Sequence, residues 1–261
     1  MPRSRRKDGF KTKVTADEKG FSTAKSPKKA KASPKKKVKV EDDDIKKTLK
    51  ASLLTSISDN IRRKYSGIIA TFNRIRERTL TSQVIDMSRY SENHILETGG
   101  GGDCLFYAIS HELRRIGLID VTHESLRQEV AEAMTYLENE NQLQDVIIHV
   151  RGIADEDLNT KIKRLKYIKS MSRQRTWGTD LEIFIVYLLY PNINMVVFRL
   201  NDENKFYVWV YDALDTSSQQ YIRIFNNGVD DEGSHYQVMV DFDDLDGRIN
   251  HLIRNLKRRK V

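Results

Sequence analysis

The single cysteine among 261 residues stands at the end of a glycine run: Gly99-Gly100-Gly101-Gly102-Asp103-Cys104-Leu105-Phe106-Tyr107-Ala108-Ile109. A thiolate is a strong nucleophile, and the neighbours of this cysteine suit that use. Glycine accepts φ > 0 and carries no Cβ, so the run can bring bare backbone N–H groups up to a substrate carbonyl. N–H groups so placed stabilise a tetrahedral oxyanion, and those of Gly101, Gly102 and Cys104 are the candidates. The apolar pattern that follows predicts a helix opening at the cysteine, where the positive end of the dipole favours thiolate. The plainer alternative is a buried, inert cysteine after a flexible linker. Four glycines argue against it, because packing alone does not offset the backbone entropy lost in ordering them.

A cysteine nucleophile needs a base, usually histidine. His94, His111, His123 and His149 fall in helical or loop patterns, and His251 falls in a C-terminal helix. His235 follows the turn Asp230-Asp231-Glu232-Gly233-Ser234 and opens a strand. Period-2 alternation puts His235, Gln237 and Met239 on one face and Tyr236, Val238 and Val240 on the other. Taken alone, His235 reads as an ordinary strand-end histidine. No Cys/His spacing offers zinc a site, and no cofactor is expected.

The elements that must carry these residues are legible from periodicity and caps. Helices are predicted over Leu105–Ile116, closed by Gly117; around Leu126, Val130, Ala133 and Leu137; over Lys161–Ser172; and over Asp180–Tyr190. The last opens with a capping box, Thr179 with Glu182, and ends at Pro191. Strands follow at Ile193–Phe198, Phe206–Tyr211, Tyr221–Phe225 and Tyr236–Val240, rich in β-branched and aromatic residues. Helices first and strands later give an α+β fold, a sheet flanked by helices. A final helix is predicted from Leu245 to Leu256.

The net charge of +8 divides unevenly. Residues 1–40 hold 15 Lys/Arg and 3 Asp/Glu, for +12; the other 221 residues hold 30 and 34, for −4. Three of the four prolines also lie in that stretch, with Ser26-Pro27-Lys28-Lys29 and Ser33-Pro34-Lys35-Lys36 as near-copies. Residues 1–42 therefore read as a disordered basic tail, able to solubilise the chain, to bind nucleic acid through phosphates or to serve as a nuclear-import signal. Residues 43–84 read as a helical extension. Apolar residues recur at helical spacing through Ile45, Leu49 and Leu53, then Ile61, Tyr65, Ile68, Phe72 and Ile75, with a break near Ser58-Asp59. They would cap the core or bind a partner. A catalytic domain over 85–242 and a C-terminal helix over 243–261 complete the division. One cysteine excludes an intrachain disulfide and suits a reducing compartment. No apolar run is long enough to span a membrane, and no secretory signal opens the chain.

Gly102-Asp103-Cys104-Leu105-Phe106-Tyr107-Ala108-Ile109-Ser110 resembles the nucleophile motif of the ovarian-tumour (OTU) cysteine proteases. Leu126-Arg127 with Val130 resembles the helix that follows in that family. Trp177-Gly178-Thr179-Asp180-Leu181-Glu182 resembles its Trp-Gly-Gly-x-x-Glu element, and His235-Tyr236 its late His-Tyr. The Gly-Gly-Gly-Asp-Cys form looks more like OTU proteins of large DNA viruses than like cellular ones. The resemblance implies a papain-like fold and hydrolysis of isopeptide bonds at the C-terminus of ubiquitin, with Cys104 as nucleophile and His235 as base. It also implies ubiquitin or polyubiquitin as partner, and action in the cytoplasm or nucleus of a host cell or in a virion. Two positions depart from the family. Gly101 stands where an Asp is common, and Gln237 where an Asp or Asn follows the histidine. Gln237 could hold the Nδ1–H of His235 through its amide oxygen; Asp86 and Asp103 are the other candidates, with Asp103 expected to face away from the thiol. These departures keep open a catalytically weakened ubiquitin-binding module, and the tail keeps open a nucleic-acid-associated protein.

Overall fold

The computed structural model describes residues 59–76, 81–85, 95–99, 101–151, 156–200, 206–215, 217–227, 235–240 and 245–258. Helix α1 spans residues 59–75. After it come β1 (Thr81–Ile85), β2 (Ile95–Leu96), α2 (Cys104–Arg115), α3 (His123–Asn139), α4 (Leu143–Arg151), α5 (Lys161–Met171) and α6 (Asp180–Leu189). The strands β3 (Asn194–Leu200), β4 (Phe206–Tyr211), β5 (Tyr221–Asn226) and β6 (Tyr236–Met239) follow, then α7 (Leu245–Arg258).

The strands form one six-stranded sheet in the order β1-β4-β3-β5-β6-β2. Only β3 and β5 run parallel; every other neighbouring pair is antiparallel. Both faces are covered, and alternation along β3 shows how. Met195 and Val197 join the large core with α1 to α6, whereas Val196 and Phe198 join a smaller one with Ile249, Leu252 and Ile253 of α7. This is the α+β class expected from the sequence.

The local signals act as expected. Gly117 ends α2 at φ 103°, in the left-handed region where glycine carries no Cβ penalty. Thr179 and Glu182 close their reciprocal cap on α6. In α1, Tyr65, Ile68, Phe72 and Ile75 are 1–4% exposed. Phe72 packs edge-on to Phe184, and burial of such side chains is worth about 1.5–3 kcal/mol each. The described part of the helix therefore caps the core; the expected break near Ser58-Asp59 falls at the edge of the described residues. The expected helix through Ile45, Leu49 and Leu53 lies outside the described residues.

Three elements are absent from the sequence reading. The segment taken as helical to residue 84 ends instead in β1, paired with β4 from Thr81↔Val210 to Ile85↔Phe206. The two-residue β2 pairs with β6, Ile95↔Met239 and Leu96↔Val238. Helix α4 buries Leu143, Val146 and Ile147. Ladder formation, not local propensity, explains both strands.

Candidate active site

Cys104 is the first residue of α2 and is 1% exposed. The loop that delivers it is bent through positive φ at Gly99 (82°), Gly101 (85°) and Gly102 (95°). At Gly102 the absence of a side chain is required twice over: a Cβ there would lie 2.3 Å from the carbonyl oxygen of Arg175. Asp103 is the N-cap of α2, yet its side chain does not cap. Its carboxylate accepts instead from Arg127 Nη2 at 2.7 Å and from the backbone N–H of Arg175 at 3.0 and 3.1 Å.

Arg127, from α3, is 2% exposed and anchors the whole loop. Its guanidinium also donates to the carbonyls of Gly102 (2.8 Å), Thr176 (2.9 Å) and Met171 (3.1 Å), and it lies 4.2 Å over the ring of Phe106. Gly178 packs equally closely on the residue after the cysteine, since a Cβ there would meet Leu105 at 2.5 Å. The sequence elements around residues 102, 127 and 177 therefore converge on one construction, the platform under Cys104.

The histidine side is built by β2 and β6. Their register, extended one residue, sets Glu97 opposite Gln237 and diagonal to His235, and side chains in those relations share a face. Glu97 Oε1 lies 2.7 Å from His235 Nε2, and Glu97 Oε2 accepts from the Gln237 amide at 2.6 Å. The backbone N–H of Gly99 donates to Oε1 at 3.1 Å. Asn227 brackets the backbone of His235, accepting from its N–H and donating to its carbonyl. Thr98 closes the frame, with its hydroxyl donating to the carbonyl of Tyr236 at 2.8 Å and also to that of Cys104 at 3.4 Å.

A thiol on a helix start, a backbone loop of glycines and an imidazole on the adjoining strand are thus gathered in one place. The family model for OTU-like cysteine proteases matches residues 99–236, just over half of the chain. The chain belongs to that family. Among solved structures, it is similar to an OTU deubiquitinase from Wolbachia pipientis wMel, 18% identical over 62% of this chain and 98% of that one, TM-score 0.41. It is similar also to the viral OTU domain protease from Dera Ghazi Khan virus, 15% identical over 64% and 92%, TM-score 0.41. It is similar too to an OTU deubiquitinase from Wolbachia pipientis wMel bound to ubiquitin, 19% identical over 56% and 94%, TM-score 0.42. No curated protein matches.

The OTU match ends at Tyr236, so Glu97 and Gln237 both stand just outside it. Gln237, expected to touch His235, has its amide nitrogen on Glu97 instead. Asp103 is turned into the Arg127 platform, and Asp86 lies outside the described residues, as does the turn at 230–234. Glu97 escaped the sequence reading. It follows a strand too short for periodicity to reveal, and its only local sign is an acid just before the glycine run. Two of the other described histidines are engaged elsewhere. His123 stacks on Tyr107 at 3.6 Å, and His149 packs against Phe72 and Phe184.

Electrostatics separate the members of this OTU centre. Burial pushes the Cys104 thiol up from its ordinary 9.0, and the negative Glu97 adds to that; the N–H groups of Tyr236, Leu105 and Cys104 itself oppose it without prevailing. The expectation that the helix terminus favours thiolate therefore holds for its sign but not for the net effect, because desolvation is larger. Desolvation also acts to raise Glu97, but the bonds from His235, Gln237 and Gly99 outweigh it and hold this carboxyl below the ordinary carboxylate range. No group of three or more His, Cys, Asp or Glu among the described residues is arranged to hold a metal.

Proposed function

We propose that this chain is a deubiquitinase, which hydrolyses the isopeptide bond between the C-terminus of ubiquitin and a lysine through an acyl-enzyme on Cys104. The observation that carries the reading is the seat of Cys104 at the start of α2, tied to the residue after His235 by Thr98, whose hydroxyl donates to the carbonyls of both Tyr236 and Cys104. His235 takes the thiol proton as sulfur attacks the isopeptide carbon. The N–H groups of Gly101, Gly102 and Cys104 hold the oxyanion; the side chain of the N-cap residue does not compete for the helix N-terminus. As the carbon–nitrogen bond breaks, His235 returns the proton to the lysine amine. Water then attacks the thioester, giving its proton to the imidazole; the ubiquitin carboxylate leaves and the thiol is restored. Gln237 acts one step removed, through Glu97.

The burial of Cys104 favours one alternative, a module that binds ubiquitin without cleaving it. A ubiquitin carrying a C-terminal electrophile separates the two. We expect a covalent adduct with the wild type and none with Cys104→Ala, which still binds ubiquitin non-covalently. Because the chain has no second cysteine, turnover by Cys104→Ala would end the enzymatic reading, and binding without any adduct in the wild type would establish the module.

A further inference from the structure

We infer that Glu97 is the acidic positioning residue of this centre, supplied from the end of β2 rather than from the β6 side that carries the histidine, and that Gln237 serves as its clamp. The inference rests on the proposed Cys104–His235 chemistry. Its basis is the three-way geometry: imidazole to Oε1 at 2.7 Å, amide to Oε2 at 2.6 Å and the Gly99 N–H to Oε1 at 3.1 Å. A carboxylate only accepts, so His235 Nε2 must be the protonated nitrogen, which leaves Nδ1 with the lone pair that can receive the thiol proton. This is the reverse of the assignment expected from Gln237 alone, which used Nδ1–H as the donor. When the proton arrives, the imidazolium has an anion beside it, which a lone amide does not provide.

The division of labour follows from reach and register. Opposite residues of β2 and β6 put the Gln237 amide where it meets the carboxylate first. It occupies Oε2 and thereby turns Oε1 toward the imidazole. The side chain of Glu97 is 61% exposed and that of His235 22%. So open a pair needs several restraints to keep one geometry, and losing the carboxylate disturbs no core. Among the described residues, the titratable groups facing Glu97 are the His235 imidazole and the Cys104 thiol.

The test uses the full chain and two independent readouts. In the proton NMR spectrum at neutral pH, the carboxylate-bonded Nε2–H should give an exchange-protected, far-downfield resonance. It is expected to vanish in Glu97→Ala, to return in Glu97→Asp and to weaken in Gln237→Ala. This readout needs no substrate, so it stands even if ubiquitin proves not to be cleaved. With a fluorogenic ubiquitin C-terminal substrate, Glu97→Ala should lower kcat about a hundredfold or more with little change in KM. Gln237→Ala should lower it about tenfold, and should add nothing in the Glu97→Ala background if it acts only through that carboxylate. A downfield signal that persists in Glu97→Ala overturns the inference, as does wild-type kcat in that variant. A wild type that shows the signal but cleaves nothing overturns the proposed function and leaves the positioning role supported.

Discussion

Asp103 and Glu97 each lie 2.7 Å from a basic nitrogen, one beneath the glycine loop and one beside its cysteine. Their surroundings differ sharply. Arg127, the partner of Asp103, is 2% exposed and also donates to the backbone carbonyls of Gly102, Met171 and Thr176. Breaking such a buried pair leaves polar groups that water cannot reach, so the platform has one stable arrangement. The Glu97–His235 pair is open to solvent, most of all at Glu97, and there even a charged pair would by itself contribute little to stability. Their geometry is set by hydrogen bonds that can exchange protons during a turnover. The buried pair fixes position, and the open pair is left free for chemistry.

The largest expected effect comes from breaking the buried pair. Arg127→Met should cost about 3–5 kcal/mol in urea unfolding, because Asp103 loses its cation and three carbonyls lose their donor. If that variant unfolds with the wild-type midpoint, the platform is not the stabilising partner in the comparison.

The loop itself sharpens the contrast. Gly102→Ala combines a left-handed φ, worth about 1–2 kcal/mol, with a Cβ driven into the Arg175 carbonyl, and turnover should fall with stability. At Gly101 nothing lies within 4 Å of a Cβ, so Gly101→Ala should cost only the φ term, about 1–2 kcal/mol. Equal losses at the two positions would remove the distinction between a packed glycine and a merely bent one.

Between the two pairs sits the thiol, and its raised pKa has a definite sign. Alkylation of Cys104 by iodoacetamide in the free protein should climb with pH to a midpoint above 9.0, not below it. Folding favours the protonated thiol, so stability should decline as pH rises from 9.0 through the raised value, and Cys104→Ala should lack that slope. A midpoint near neutrality would mean that the open pair already holds a thiolate before substrate arrives.

Deletion of residues 1–40 should have the smallest effect. Hydrolysis of a small ubiquitin substrate and the thermal transition should stay within error of the full chain, while any salt-sensitive DNA binding should disappear with the +12 charge. A large fall in turnover at unchanged stability would tie the tail to the site.

Periodicity and caps in the sequence alone determined α2, α3, α5, α6, α7 and the strands β3 to β6, because each carries its own signal. The 3.6 or period-2 pattern, the Thr179–Glu182 box and the Gly117 stop are all local. The candidate nucleophile was equally legible, since a lone cysteine after four glycines depends on no distant residue. His235 was less so; among six histidines, only the resemblance to OTU proteases singled it out. What the tertiary structure alone decided is the company these residues keep. Ile95–Leu96 becomes a strand only because β6 offers it a ladder, and that ladder brings Glu97 opposite Gln237 across 140 positions of chain. Arg127 likewise becomes the anchor of the glycine loop only where α3 packs beneath it. A two-residue strand has no period to read, and a pairing so distant in sequence leaves no local trace. The acid beside the histidine is therefore a product of register, which exists only once the sheet has formed.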